Sequence, residues 1–135
     1  MVLVGNAWRV DVTHPLPVLS DPGTAIDGTA YNATDGVSVR DQNAGLLGVG
    51  GTVGIDQLSL PTVDKPELVI YSPSSTVVPV GLNVQASNVT VRRIAIYGFG
   101  GALNSDTSAN ILISSAASNV VIEQNLLGTT AGSFS

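Results

Sequence analysis

The 135-residue sequence predicts an all-β fold built of stacked coils, a β-solenoid, and three observations carry that expectation. Hydrophobic residues make up 44% of the chain but charged residues only 11%, too few to clothe the solvent faces of helices. Short β-branched runs recur between clusters of Gly, Pro, Ser, Asn and Asp, the pattern of brief strands joined by tight turns. Finally, one stretch repeats itself 31 residues downstream, and internal repetition separates a solenoid from a sandwich. A chain of this length suits one domain, taken as residues 1–135.

Taken in order, 8–13, 16–19 and 24–26 read as the rungs of a first coil. Residues 31–62 alternate weakly and are rich in Gly, Asp and Asn, so a long Gly-rich loop or protruding subdomain is expected there. The most regular coils are expected over 67–130. Within them Ala86-Ser87-Asn88-Val89-Thr90-Val91 is matched by Ala117-Ser118-Asn119-Val120-Val121-Ile122. Ile96 then corresponds to Leu127, and Leu82-Asn83-Val84 pairs with Ile111-Leu112-Ile113 after a short indel.

Each repeat reads as strand, Ala-Ser-Asn corner, strand, bend, strand, enough for three faces of a coil. Stacking places Val89 over Val120 and Val91 over Ile122 in the interior, with Asn88 and Asn119 forming a structural corner ladder. Asn tolerates the left-handed backbone of a tight bend. Arg92 and Glu123 then face outward as an inter-rung ion pair, an interaction of at most about 1 kcal/mol when exposed.

Several motifs carry a family resemblance. His14-Pro15-Leu16-Pro17-Val18-Leu19-Ser20-Asp21-Pro22, followed by Ala25-Ile26-Asp27-Gly28-Thr29, resembles the opening of bacterial right-handed parallel β-helix proteins of the pectate-lyase-like superfamily. Gly81-Leu82-Asn83-Val84, Ile96-Tyr97-Gly98-Phe99-Gly100 and Val121-Ile122-Glu123-Gln124-Asn125-Leu126-Leu127-Gly128 resemble its coil-building patterns. The resemblance implies a right-handed parallel β-helix within a secreted or cell-surface protein, with adjoining coils beyond the regular repeats. These patterns build coils and are not catalytic signatures.

Ten acidic against five basic residues give a net charge of −5, and only Arg92 and Arg93 are adjacent, which argues against a nucleic-acid partner. The first six residues lack a basic region before an apolar stretch, so no leader is expected in them, and no apolar window is long enough for a membrane anchor. Cysteine is absent, which removes disulfides and thiolate metal sites.

Superfamily members that cleave polysaccharides use clustered carboxylates, whereas after residue 67 this chain holds only Asp106 and Glu123. No catalytic residue, metal site or cofactor is therefore assigned. Asp27, in Ile-Asp-Gly, is read first as a turn former. Asp27, Asp35 and Asp41 are the candidates for a polar site or calcium, though none follows a calcium-loop spacing. His14 has no partner spacing, and Trp8, Tyr31, Tyr71, Tyr97, Phe99 and Phe134 could form either a sugar-stacking platform or core packing. Asn32 and Asn88 head glycosylation tripeptides that are common by chance.

The expected function is that of a non-enzymatic structural or adhesive module. It would associate end to end with a second copy or with adjoining coils, because no capping helix is visible at either end. The alternative is a carbohydrate-active module that binds or cleaves a polysaccharide along the outer groove.

Overall fold

The computed structural model describes residues 1–74, 77–101 and 108–132; Asp106 and Phe134, singled out above, lie outside them. The described residues form fourteen β-strands and no helix, an all-β chain organised as several small sheets. It opens with a hairpin in which β1 (Val2–Val4) and β2 (Ala7–Asp11) pair antiparallel across Gly5-Asn6. Gly5 takes a φ of 62°, which a two-residue hairpin turn requires. After β3 (Ala25–Asp27) come four two-residue strands, β4 (Leu46–Leu47), β5 (Thr52–Val53), β6 (Leu58–Ser59) and β7 (Val63–Asp64). β4 pairs with β7 and β5 with β6, both antiparallel, so this stretch forms one narrow ribbon.

The remaining strands are β8 (Leu68–Tyr71), β9 (Val80–Val84), β10 (Thr90–Arg92), β11 (Ile94–Tyr97), β12 (Ala109–Ile113), β13 (Val121–Glu123) and β14 (Leu126–Leu127). Their pairings are all parallel. One sheet runs β1-β2-β8-β11-β14, a second β13-β10-β3, and a third joins β12 to β9, with Leu19 bridged to Val84 beside it. From β2 onward the chain passes through Leu19 to β3, then β8, β9, β10, β11, β12, β13 and β14. Leaving the ribbon aside, it visits the three sheets in constant rotation.

Register follows the repeat. Thr90, Val91 and Arg92 lie opposite Val121, Ile122 and Glu123, and on their other side opposite Ala25, Ile26 and Asp27. Leu82, Asn83 and Val84 oppose Ile111, Leu112 and Ile113, and Ile96 opposes Leu127. Alternation along the strands turns Val84, Val91, Ile94 and Ile96 inward, and Val89, just before β10, joins them; all five are fully buried. Leu16, Leu19, Ile26, Phe99, Val120 and Ile122 pack against this cluster.

A second apolar cluster lies on the other side of the five-stranded sheet. Val69, Ala95 and Leu126 there meet Ala7, Leu47 of the ribbon base and Ala131. β8 and β11 are thus covered on both faces, which explains why Leu68-Val69-Ile70-Tyr71 and Ile94-Ala95-Ile96-Tyr97 are continuous apolar runs and not alternating ones.

The ribbon begins within the stretch 31–62 expected as a loop or protruding subdomain and ends at Asp64; its strands are too short to show alternation. Residues 37–40 make a single bridge, between Tyr31 and Val39, after Asp35 bends the chain into a side-chain-capped turn.

Burial ranks the strands. Ile96→Ala, at a fully enclosed position, should cost about 3 kcal/mol, whereas Ile113→Ala, at a position 44% exposed, should cost clearly less. Urea denaturation of the two variants measures the difference.

Candidate functional site

At the corner between the third and second sheets, Asn88 and Asn119 both adopt left-handed backbone, with φ of 60° and 53°. The Asn119 Nδ2 donates to the Asn88 Oδ1 at 3.1 Å, and the Ser118 hydroxyl contacts the Ser87 hydroxyl at 3.0 Å. The next corner carries the same geometry on residue types that do not advertise it: Arg93 and Gln124 have φ of 56° and 54°. Arg93 Nε donates to Gln124 Oε1 at 3.1 Å. Asn125 closes that bend by donating to the Val91 carbonyl at 2.8 Å and accepting from the Ile94 amide at 3.1 Å. The 31-residue spacing of Arg93 and Gln124 was the available signal for this second ladder.

Arg92 lies on β10 between β3 and β13, and its nearer partner is Asp27, not Glu123. Its Nη2 and Nε donate to Asp27 Oδ2 at 2.7 and 2.9 Å, while Nη1 lies 4.0 Å from Glu123 Oε1. The expected pair is therefore the weaker half of an Asp27–Arg92–Glu123 column, because the 31-residue repeat relates β10 to β13 and leaves out β3. Asp27 Oδ1 also accepts from the Thr29 amide and hydroxyl at 3.0 and 2.7 Å. Burial pushes the Asp27 carboxyl up, but the Thr29 and Arg92 hydrogen bonds outweigh it and hold the carboxyl below its ordinary 3.8.

Asp27, Asp35 and Asp41 do not converge; among the described residues no three His, Cys, Asp or Glu side chains form a metal-holding group. Asp35 caps its own turn by accepting from the Val37 and Ser38 amides and the Ser38 hydroxyl. Asp41 lines a cleft of about 100 Å³ together with Arg40, Asp64, Lys65, Glu67 and Arg93. That is well short of the roughly 300 Å³ at which small-molecule pockets begin. Glu67, which sequence reasoning passed over, is buried and ties the insertion down: its Oε1 accepts from the Gln42 and Asn43 amides at 2.7 Å each. Asn43 adds bonds to the carbonyls of Pro66 and Ala131.

A larger groove of about 430 Å³ runs along the outer side of the five-stranded sheet, lined by Asn6, Arg9, Asn43, Tyr97 and Thr130 among others. Register stacks Asp11, Tyr71 and Tyr97 in one outward column. The two tyrosine rings lie 4.6 Å apart at a 34° tilt, and the Arg9 guanidinium sits 5.0 Å above the Tyr71 ring. Arg9 is fixed by a fork onto Asp11, at 2.6 and 3.2 Å. Burial pushes the Tyr97 hydroxyl above its ordinary value. Of the aromatic residues considered above, only Tyr71 and Tyr97 come together as a ring pair among the described residues. Arg9 and Asp11 were missed, although their spacing of two on a strand puts them on one face.

Comparison with protein-family models, characterised proteins and solved structures finds no match to this chain.

Two expectations follow. A carboxyl held below its unfolded value contributes stability that is complete above that value and is lost as pH falls through the folded one. The urea midpoint should therefore drop below about pH 4 in the native chain, and this component should be missing from Asp27→Asn. Gly28, beside Arg93 in the stack, leaves no room for a side chain, since a Cβ would lie 2.0 Å from the Arg93 carbonyl oxygen. Gly28→Ala should cost about 2–3 kcal/mol, read from the same unfolding curves.

Proposed function

We propose that the chain is a right-handed, three-sided parallel β-helix that serves as a non-enzymatic structural or adhesive module of a secreted or cell-surface protein. The observation that supports this reading is the rotation of successive strands through three sheets, with parallel pairing among all strands outside the opening hairpin and the ribbon, and with the later pairs at spacings that follow the sequence repeat. Such an arrangement directs its apolar side chains into a packed interior and spends its polar side chains on corners and inter-rung contacts. Asp27 and Glu123 both flank Arg92, and Asp35 caps a turn, roles that belong to the scaffold.

The last rung, β12, β13 and β14, has one edge without a strand partner among the described residues. Open edges of this kind accept further strands, so the module extends by stacking, either on another coil of a longer chain or on a second copy. Sedimentation velocity at rising concentration tests the stacking. The mass should grow with concentration, and lysines placed on the last rung by Val121→Lys and Leu127→Lys should suppress that growth. A persistent monomer would remove self-stacking from the proposal.

A second reading, a polysaccharide-binding module, is favoured by Tyr97 and Arg9, which line the 430 Å³ groove and contact the Tyr71 ring and the Asp11 carboxylate beside it. Aromatic faces and charge-assisted hydrogen bonds suit a sugar ring and its hydroxyls. A glycan-binding screen separates the two readings: binding that Tyr97→Ala abolishes selects the second, and no binding selects the first.

A further inference from the structure

The ribbon of β4 to β7 is half supported and half bare. Its base rests on the five-stranded sheet through Leu47 and Val63, the former buried against the outer apolar cluster. Beyond the base, β5 and β6 project with Val53 and Leu58 directly opposite each other, 53% and 65% exposed. The intervening turn carries Ile55 at 100% exposure, and Val49 is 97% exposed. Residues 44–63 hold a single charged side chain, Asp56, in a chain of net charge −5.

We infer that this ribbon is a lateral self-association element that pairs with the same ribbon of a second copy. Three observations favour a second copy over other occupants. An isolated two-stranded ribbon is marginal in water, and three or more strands sharing an apolar face are needed for stability. Here β5 and β6 pair only with each other among the described residues, so each offers a free edge, and two copies together make a four-stranded sheet. The exposed Leu46, Val49, Val53, Ile55, Leu58 and Leu60 lie close together in sequence along this ribbon, and clustered exposed apolar side chains mark a protein–protein contact surface. Depletion of charge is what the buried centre of a homodimer interface requires, and it lets two acidic chains approach at this place. A self-complementary patch of this kind closes as a two-fold dimer.

The inference does not depend on the stacking described above, and the two surfaces can be tested apart. The chain has no cysteine, so Ile55→Cys installs a single reporter thiol at the ribbon tip, and Val37→Cys installs a control at another exposed position in the insertion. Under mild oxidation at micromolar concentration, Ile55→Cys should form a disulfide-linked dimer at least tenfold faster than Val37→Cys. In sedimentation, Ile55→Asp combined with Leu58→Lys should abolish the lateral dimer and leave the circular dichroism spectrum unchanged. The last-rung variants Val121→Lys and Leu127→Lys should leave ribbon cross-linking intact. Equal cross-linking rates for the two thiols would overturn the inference. A monomer that co-sediments with phosphatidylcholine vesicles through Ile55 would overturn it in favour of a lipid surface.

Discussion

The structure depends on backbone hydrogen bonds between parallel strands that belong to successive passes of the chain. A parallel ladder gives each N–H and C=O a partner only if the neighbouring pass arrives in register, and a slip of one residue would turn the apolar side chains outward. The corners enforce that register. Asn88 and Asn119 turn the chain in left-handed geometry at one bend, and Arg93 and Gln124 do so at the next. Asn125 satisfies backbone groups that the second bend would otherwise leave bare. Valine and isoleucine fill the space between, and their stiff side chains suit a narrow interior.

The legibility of the sequence tracks this regularity. Where passes repeat at 31 residues, the strands, the inward valines and the Asn88–Asn119 contact could be read directly, because like residues recur in like places. The Asp27 contact to Arg92 could not, since the insertion stretches that spacing to 65 residues and hides the repeat. The ribbon escaped because its strands are two residues long, below the length at which alternation is visible. The β1–β2 hairpin left a fainter sign in Gly5-Asn6, a dipeptide suited to a two-residue turn. The outer face of the five-stranded sheet was half visible: Tyr71 and Tyr97 stood out by residue type, while Arg9 and Asp11 looked like ordinary surface charges until register put them beside the rings.

The insertion also changes what the five-stranded sheet is. Were its outer side bare, Ala7, Val69, Ala95 and Leu126 would face water; instead Leu47 of the insertion and Ala131 cover them. Glu67 and Asn43 fasten the cover by bonds to backbone groups, a form of attachment that does not depend on the identity of the side chains being held. The base of the insertion is therefore part of the scaffold, and only its distal half is available for contacts with other molecules.

Placing the insertion between β3 and β8 has a consequence for assembly kinetics. Contacts among the later passes span about half the chain length that joins β3 to β10, and each doubling of a closed loop adds about 0.6 kcal/mol of entropic penalty. The downstream passes are thus the natural nucleus, and the N-terminal segment zips onto a preformed template afterwards. Maturation of this polypeptide would then run from its C-terminal half backwards, against the direction in which a ribosome delivers it.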